Sequence, residues 1–310
     1  MGTKDQGPGA RKDKHHKKTS TIDSTLSISP VPGTLYIVAT PIGNLEDITF
    51  RAIRVLKEVD LIAAEDTRHS RKLLSHFGIS KPLTSYFDHN KAFKGEVILD
   101  KLQKGMSVAL ISDAGTPCIS DPGYQLVRDA VASGIIVIPV PGPSAVITAL
   151  SAAGLPTDAF TFEGFLPSRQ GRRREKLAAL KSEPRVLVFY ESANRLSATI
   201  ADLLEVFGER QVVVARELTK IYEEFIRGGL EEVATILQER QIKGEVVLLV
   251  SPAAVVELVA AQSMPLLLQR YLQTGELSLK DVVKRVAMET GLPRSDVYAE
   301  ALRLKDEVPG

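Results

Sequence analysis

The chain has 310 residues, 44% of them hydrophobic and 25% charged, with a formal net charge of +1. That is enough apolar material for one large or two ordinary domains, and too little net charge for a globally basic protein, although a local basic patch stays open. The single cysteine, Cys118, excludes an internal disulfide and a cysteine-based zinc site; no apolar run reaches membrane-spanning length and no apolar leader is visible, so a reducing cytoplasm is the expected setting.

Residues 1–32 read as a disordered basic arm. They carry Lys4, Arg11, Lys12, Lys14, Lys17 and Lys18 against Asp5 and Asp13, with almost nothing apolar. The arm is either a solvated tail or a weak, nonspecific RNA tether. From Gly33 the pattern changes. Strand-like apolar runs at Leu35–Ala39, Leu61–Ala64, Val108–Ile111 and Ile135–Val140 alternate with helical patterns at Asp47–Val59, His69–Phe77, Lys91–Lys104 and Gly123–Ser133. Such alternation, with near-continuous apolar strands, predicts a parallel sheet covered on both faces. A small-residue helix, Ala145–Ala153, leads into Gly154-Leu155-Pro156, where the boundary between residues 33–150 and 151–253 is placed.

A second series follows, with strands at Phe160–Phe165, Arg185–Tyr190, Val212–Ala215 and Val246–Val250 and helices at Arg172–Lys181, Ser192–Phe207 and Leu230–Arg240. The tail, residues 264–310, differs again. Ser278 with Asp281 resembles a capping box before Val282, Val283, Val286 and Ala287; Gly291 stops that helix, and Ser295–Leu304 reads as the next. Two short helices across a glycine turn predict a helix-turn-helix-like appendage or a plain helical hairpin packed on the body.

Four strand ends share one character: Thr40-Pro41-Ile42-Gly43-Asn44, Glu65-Asp66-Thr67-Arg68, the stretch "ISDAGTPCISDPG" from Ile111 to Gly123, and Pro141-Gly142-Pro143-Ser144. Glycine lets a backbone approach a ligand and proline keeps the loop stiff. In open α/β sheets, ligands bind beyond the carboxyl ends of the strands. No G-x-G-x-x-G follows the first strand and no P-loop motif is present. Asp88, His89 and the pair His15-His16 lack a metal-ligand spacing, so no metal is expected. Arg169, Arg172, Arg173 and Arg174 cluster where their charge opposes a helix dipole, which is either a solvated helix start or a contact for a phosphate backbone.

Eight ordered runs carry a resemblance: "LYIVATPIGNLEDIT", "DLIAAEDTRHSRKLLSHFGI", "ALISDAGTPCISDPGYQLV", "PGPSAVITALSAAGLP", "EGFLP", "VFYES", "ARELTK" and "KGEVVLLV". They are similar to the small-subunit ribosomal RNA methyltransferase I family, within the tetrapyrrole-methylase-like, class III methyltransferases. The resemblance covers roughly Gly33 to Ser251 and extends to the helical tail. It implies two α/β domains with S-adenosylmethionine in the cleft between them, a homodimer, and 2′-O-methylation of a cytidine ribose in the decoding region of the small-subunit rRNA, offered as free RNA or as the assembled small subunit. It further implies cofactor contacts from Pro41, Ile42 and Gly43, from Thr116, Pro117 and Ile119, from Ser144 and Ala145, and from Phe189, Tyr190, Ala215 and Glu245. Where the wider superfamily carries Gly-Asp-Pro, this chain has Gly115-Thr116-Pro117, which favours backbone contacts over a direct aspartate contact.

A ribose hydroxyl is a poor nucleophile at neutral pH, and a carboxylate or lysine could take or polarise its proton. Glu65, Asp113, Glu217 and Lys220 sit at strand ends, with Lys220 the first choice and Arg68 placed to clamp a phosphate. Positioning alone is the competing view. A methylase of the same fold acting on a tetrapyrrole or a protein side chain, or a catalytically idle RNA-binding module, are the alternatives in function.

Overall fold

In the computed structural model the described residues are Gly2, Val31, 33–87, 91–253, 255–274 and 277–306. The rest of the basic arm, and Asp88 and His89, lie outside them. The first sheet takes strands β1 (Thr34–Val38), β2 (Leu61–Ala64), β3 (Leu83–Ser85), β4 (Val108–Ile111) and β5 (Ile136–Val140) in the order β3-β2-β4-β1-β5, with every pair parallel. The two-residue alternation of strand side chains divides its core. Tyr36, Val38, Ile62 and Ala64 pack against helices α1 (Phe50–Glu58) and α2 (Thr67–His76); Leu35, Ala63, Val108 and Leu110 pack against α3 (Lys91–Gln103) and α4 (Tyr124–Ala132). Thr49 starts α1 by accepting the Ala52 N–H (3.1 Å), and Asp66 starts α2 by accepting that of Arg68 (2.8 Å). Pro139 cannot donate to a ladder and sits on edge strand β5, where no partner lies outside it.

The second sheet, from β6 (Phe160–Phe165), β7 (Val186–Ser192), β8 (Gln211–Arg216), β9 (Glu224–Gly229) and β10 (Glu245–Val250), has the order β6-β7-β10-β8-β9. Only β6 and β7 pair in parallel; the other pairs are antiparallel. Strand–helix alternation fails here because β8 runs through a short loop directly into β9, with no helix to carry the chain back. Leu187, Phe189, Val212, Val214 and Leu248 bury one face under α6 (Gln170–Ala179), α7 (Ala193–Phe207) and α8 (Leu230–Glu239). The other face, with Val188, Val213, Ala215, Val247 and Leu249, packs on α5 (Ala145–Ala153). From β9, Arg227 donates to the Ala152 and Ala153 carbonyls at the end of α5 (2.6 and 3.2 Å), a cation where the helix dipole is negative.

The helical tail holds α9 (Val255–Thr274), α10 (Leu279–Thr290) and α11 (Arg294–Asp306). Leu268, Val282, Val286, Val297 and Ala301 form its own small core. The Ser278 hydroxyl accepts the Asp281 N–H (3.2 Å), and Gly291 takes the left-handed conformation (φ 70°) that ends α10. The sequence reading started the tail at Met264, but α9 begins at Val255 and supplies the helix on which the other two pack. Among the described residues no helix is long and apolar enough to cross a membrane.

Candidate active site

The carboxyl ends of β1, β4 and β5 meet and interlock. Thr40 and Gly115 exchange backbone hydrogen bonds (2.9 and 3.0 Å), the Thr40 hydroxyl donates to the Ser112 carbonyl (3.2 Å), and the Thr116 hydroxyl donates to the Pro143 carbonyl (3.2 Å). These bonds hold the β4 loop in a shape that ordinary residues resist. Gly115, Cys118 and Ser120 all have positive φ (81°, 72° and 62°), a cost borne where surrounding contacts over-determine the backbone. The loop after β8 is strained in the same way at Glu217 and Thr219 (φ 49° and 64°). The two sheets touch here: the Asn44 N–H donates to the Thr219 hydroxyl (3.0 Å), and a Cβ on Gly43 would lie 2.5 Å from Lys220 Cγ.

Between the loops runs a cleft of about 340 Å³. Ile42, Thr116, Ile119, Ser144 and Ala145 line it from the first-sheet side, and Tyr190, Ala215 and Glu245 from the second. These positions coincide with residues named from the motifs. The motif reading missed Asp121, Phe165, Leu218, Gly244 and Val247, which also line the cleft. Phe165 leans on Tyr190 (ring centroids 5.5 Å apart) and extends the aromatic wall. The signal for Asp121 was in the sequence, since the residue stands inside the quoted loop. Burial pushes its carboxyl up to about 6; the Ser112 hydroxyl pulls the other way, and the charge of Asp113 adds to the rise. An apolar-walled cleft with stiff backbone edges and the partly desolvated Asp121 carboxylate suits a nucleoside-sized ligand that carries positive charge.

A second cavity, about 500 Å³, shares Ile42, Ala114 and Glu245 with the first. Pro41, Gly43, Asp113 and Lys220 face this one. Lys220 Nζ donates to Glu217 Oε1 (3.0 Å) and Glu245 Oε2 (2.9 Å). Burial draws the ammonium's pKa down, but the bonds to Glu245 and Glu217 outweigh it and the net shift is upward, so Lys220 stays protonated. Glu217 moves the other way: burial raises its carboxyl, and the Glu245 N–H and Lys220 more than reverse that. Glu217 therefore holds Lys220 as the spacing of three suggested.

Residues 34–234 match the family described as Tetrapyrrole (Corrin/Porphyrin) Methylases, and residues 267–305 match the RsmI C-terminal HTH domain. The chain belongs to the tetrapyrrole methylase family. It is a methyltransferase. It is 51% identical over 271 residues to "Ribosomal RNA small subunit methyltransferase I" of Halalkalibacterium halodurans, covering 86% of this chain and 93% of that protein. The protein of the same name from Escherichia coli O157:H7 is 50% identical over 275 residues, 87% of this chain and 95% of its own. Uroporphyrin-III C-methyl transferase from Thermus thermophilus, solved with S-adenyl homocysteine, shares the fold at a TM-score of 0.51 and 18% identity, over 70% of this chain and 97% of its own.

In this methylase several motif residues are placed elsewhere. Phe189 lies fully buried on the helix-covered face of β7, because strand side chains alternate and its neighbour Tyr190 takes the cleft face. Pro117 is not on the cleft wall. Glu65 lines neither cavity and accepts the Asp113 N–H (3.4 Å). Arg68 lines neither cavity; its exposed guanidinium is bound to Asp66 (3.1 Å). Arg173 is buried on Asp202 (2.5 Å), which also accepts Arg174 Nε (2.7 Å), so the pair ties α6 to α7. Arg169 and Arg172 remain exposed. Among the described residues no group of three or more His, Cys, Asp and Glu side chains is placed to hold a metal ion.

Proposed function

We propose that this methyltransferase uses S-adenosylmethionine to methylate the 2′-hydroxyl of a cytidine ribose in the decoding region of small-subunit ribosomal RNA. The observation that carries the reading is the junction of two cavities at Glu245, with the protonated Lys220 beside it. The name of the similar proteins supports the ribosomal RNA; the ordered motifs support the cytidine ribose. S-adenosylmethionine supplies a methyl group already activated on a sulfonium.

The first cleft binds the donor. Tyr190 and Ala215 form its apolar wall, Thr116, Ile119 and Ser144-Ala145 present backbone, and Asp121 favours a cation. Lys220 faces the second cavity as a hydrogen-bond donor, so it steadies the acceptor oxygen rather than removing its proton. Asp113 and Glu245 are the carboxylates of that cavity available to take the proton. Alignment across the junction supplies much of the remaining rate. Arg169 and Arg172 contact RNA phosphates, and the exposed Ile147, Phe165 and Ile221 are surface for a second copy in a homodimer.

The test is transfer of a labelled methyl group to naked rRNA, to the free small subunit and to the whole ribosome. The label is then located by nuclease digestion, and alkali-resistant cytidine is the expected product. Label on a base, on protein or on no RNA at all would overturn the reading.

A further inference from the structure

The second cavity has a basic flank that the motifs did not assign. Helix α2 places His69, Lys72 and His76 on its wall, at i, i+3 and i+7 on one helix face. From Thr67 to His76 the helix carries no carboxylate, and Arg71 adds another exposed cation. Arg68 is bound to Asp66, but no ion pair involves Arg71, Lys72 or either histidine among the described residues. Arg71 and Lys72 give the α2 side of the cavity an excess of positive charge, and Asp113 and Glu245 supply carboxylates elsewhere on its lining. Leu45 and Leu73 supply apolar wall, and Lys220 with Asp113 lies on the same cavity. The cavity adjoins the first cleft, and Ile42, Ala114 and Glu245 line both.

We propose that this cavity seats the acceptor as one ribonucleotide extruded from the RNA, its base against Leu45 and Leu73 and its phosphate on His69, Lys72 and His76. The proposal rests on the RNA reading above and adds the place and mode of capture. Three features support it. Sequence-specific recognition of RNA splays single nucleotides out of loops and bulges and seats their bases on side chains. Apolar side chains take the base faces while cations take the phosphate, so affinity falls with salt. A ribose between those two groups would lie beside Lys220, on the side where the cavities join.

Two variants test it, Lys72→Ala/His76→Ala and Leu45→Trp. Leu45 is partly exposed, so tryptophan can fill the cavity without entering the core. Methyl transfer to small subunits is followed at several salt concentrations, alongside calorimetric affinity for S-adenosylhomocysteine. For the double variant the KM for RNA should rise several-fold and its logarithmic salt dependence should lose about one unit per phosphate contact removed. Affinity for S-adenosylhomocysteine should stay unchanged. Leu45→Trp should lose transfer while keeping that affinity and the wild-type melting temperature. Wild-type KM and salt dependence in the double variant overturn the proposal, as does lost affinity for S-adenosylhomocysteine in either variant, which would give the cavity to the donor. A wild-type enzyme that methylates no RNA removes the RNA reading itself, and the nucleotide with it.

Discussion

Asp121→Asn should make the protein more stable and its binding of the donor worse. The Asp121 carboxyl is pushed from 3.8 up to about 6, first by burial, with Ser112 opposing and Asp113 adding to the rise. Between those values the folded protein keeps a proton that the unfolded chain has released. The ionised group therefore destabilises the fold in full above about pH 6, and the penalty fades as the pH falls from about 6 to about 4. A rise of that size corresponds to about 3 kcal/mol. The group is still partly open to water, and screening brings the penalty down to about 1 kcal/mol. Thermal melts should show the asparagine variant about 2 °C more stable at pH 8 and no different at pH 4. Calorimetry at pH 8 supplies the other half. S-adenosylmethionine carries one more positive charge than S-adenosylhomocysteine, so the variant should lose on the order of 1 kcal/mol of affinity for the first and little for the second. Destabilisation at pH 8, or equal losses for the two ligands, would refute the reasoning.

Lys220→Met should lower single-turnover methyl transfer by roughly a hundredfold with little change in S-adenosylhomocysteine affinity; an unchanged rate would leave Lys220 a structural ion-pair partner. Asp202→Ala strands the buried Arg173 charge and should cost about 3–5 kcal/mol in denaturant melts, and a loss under 1 kcal/mol would contradict the burial. Gly43→Val drives a side chain against Lys220 Cγ and the Leu218 carbonyl, and should weaken transfer by separating the loops; wild-type kinetics would show that the contact does not matter. Arg169→Ala with Arg172→Ala should flatten the salt dependence of RNA binding while melting stays put, and an unaltered slope would remove both from the RNA surface.

The first sheet was legible in the chain because its strands are short apolar runs punctuated by helices, and local propensity agrees with burial on both faces. Strand β4, helix α5 and strand β6 have the bounds read from the sequence, and Ser278 and Gly291 cap α10 by local hydrogen bonding alone. The loops that line the first cleft were legible for a similar reason: glycine, proline and a carboxylate in one turn mark a backbone held against something. Strands β3 and β9 were not read, since three residues at an edge and a strand ending in two glycines carry no clear period.

Tertiary structure alone decided the rest. Both neighbours on β7 are apolar and both faces of that strand are covered, so alternation says that Phe189 and Tyr190 diverge but not which one meets the cleft. Four arginines in a row of six look equivalent until α7 brings Asp202 beside Arg173 and Arg174. Lys220 becomes a fixed cation rather than a proton acceptor only when the β8 loop and the start of β10 place Glu217 and Glu245 around it. Glu217 is local to Lys220, but Glu245 lies 25 residues away and Asp202 lies 28 from Arg174, and those distances are closed by the fold and not by the local sequence.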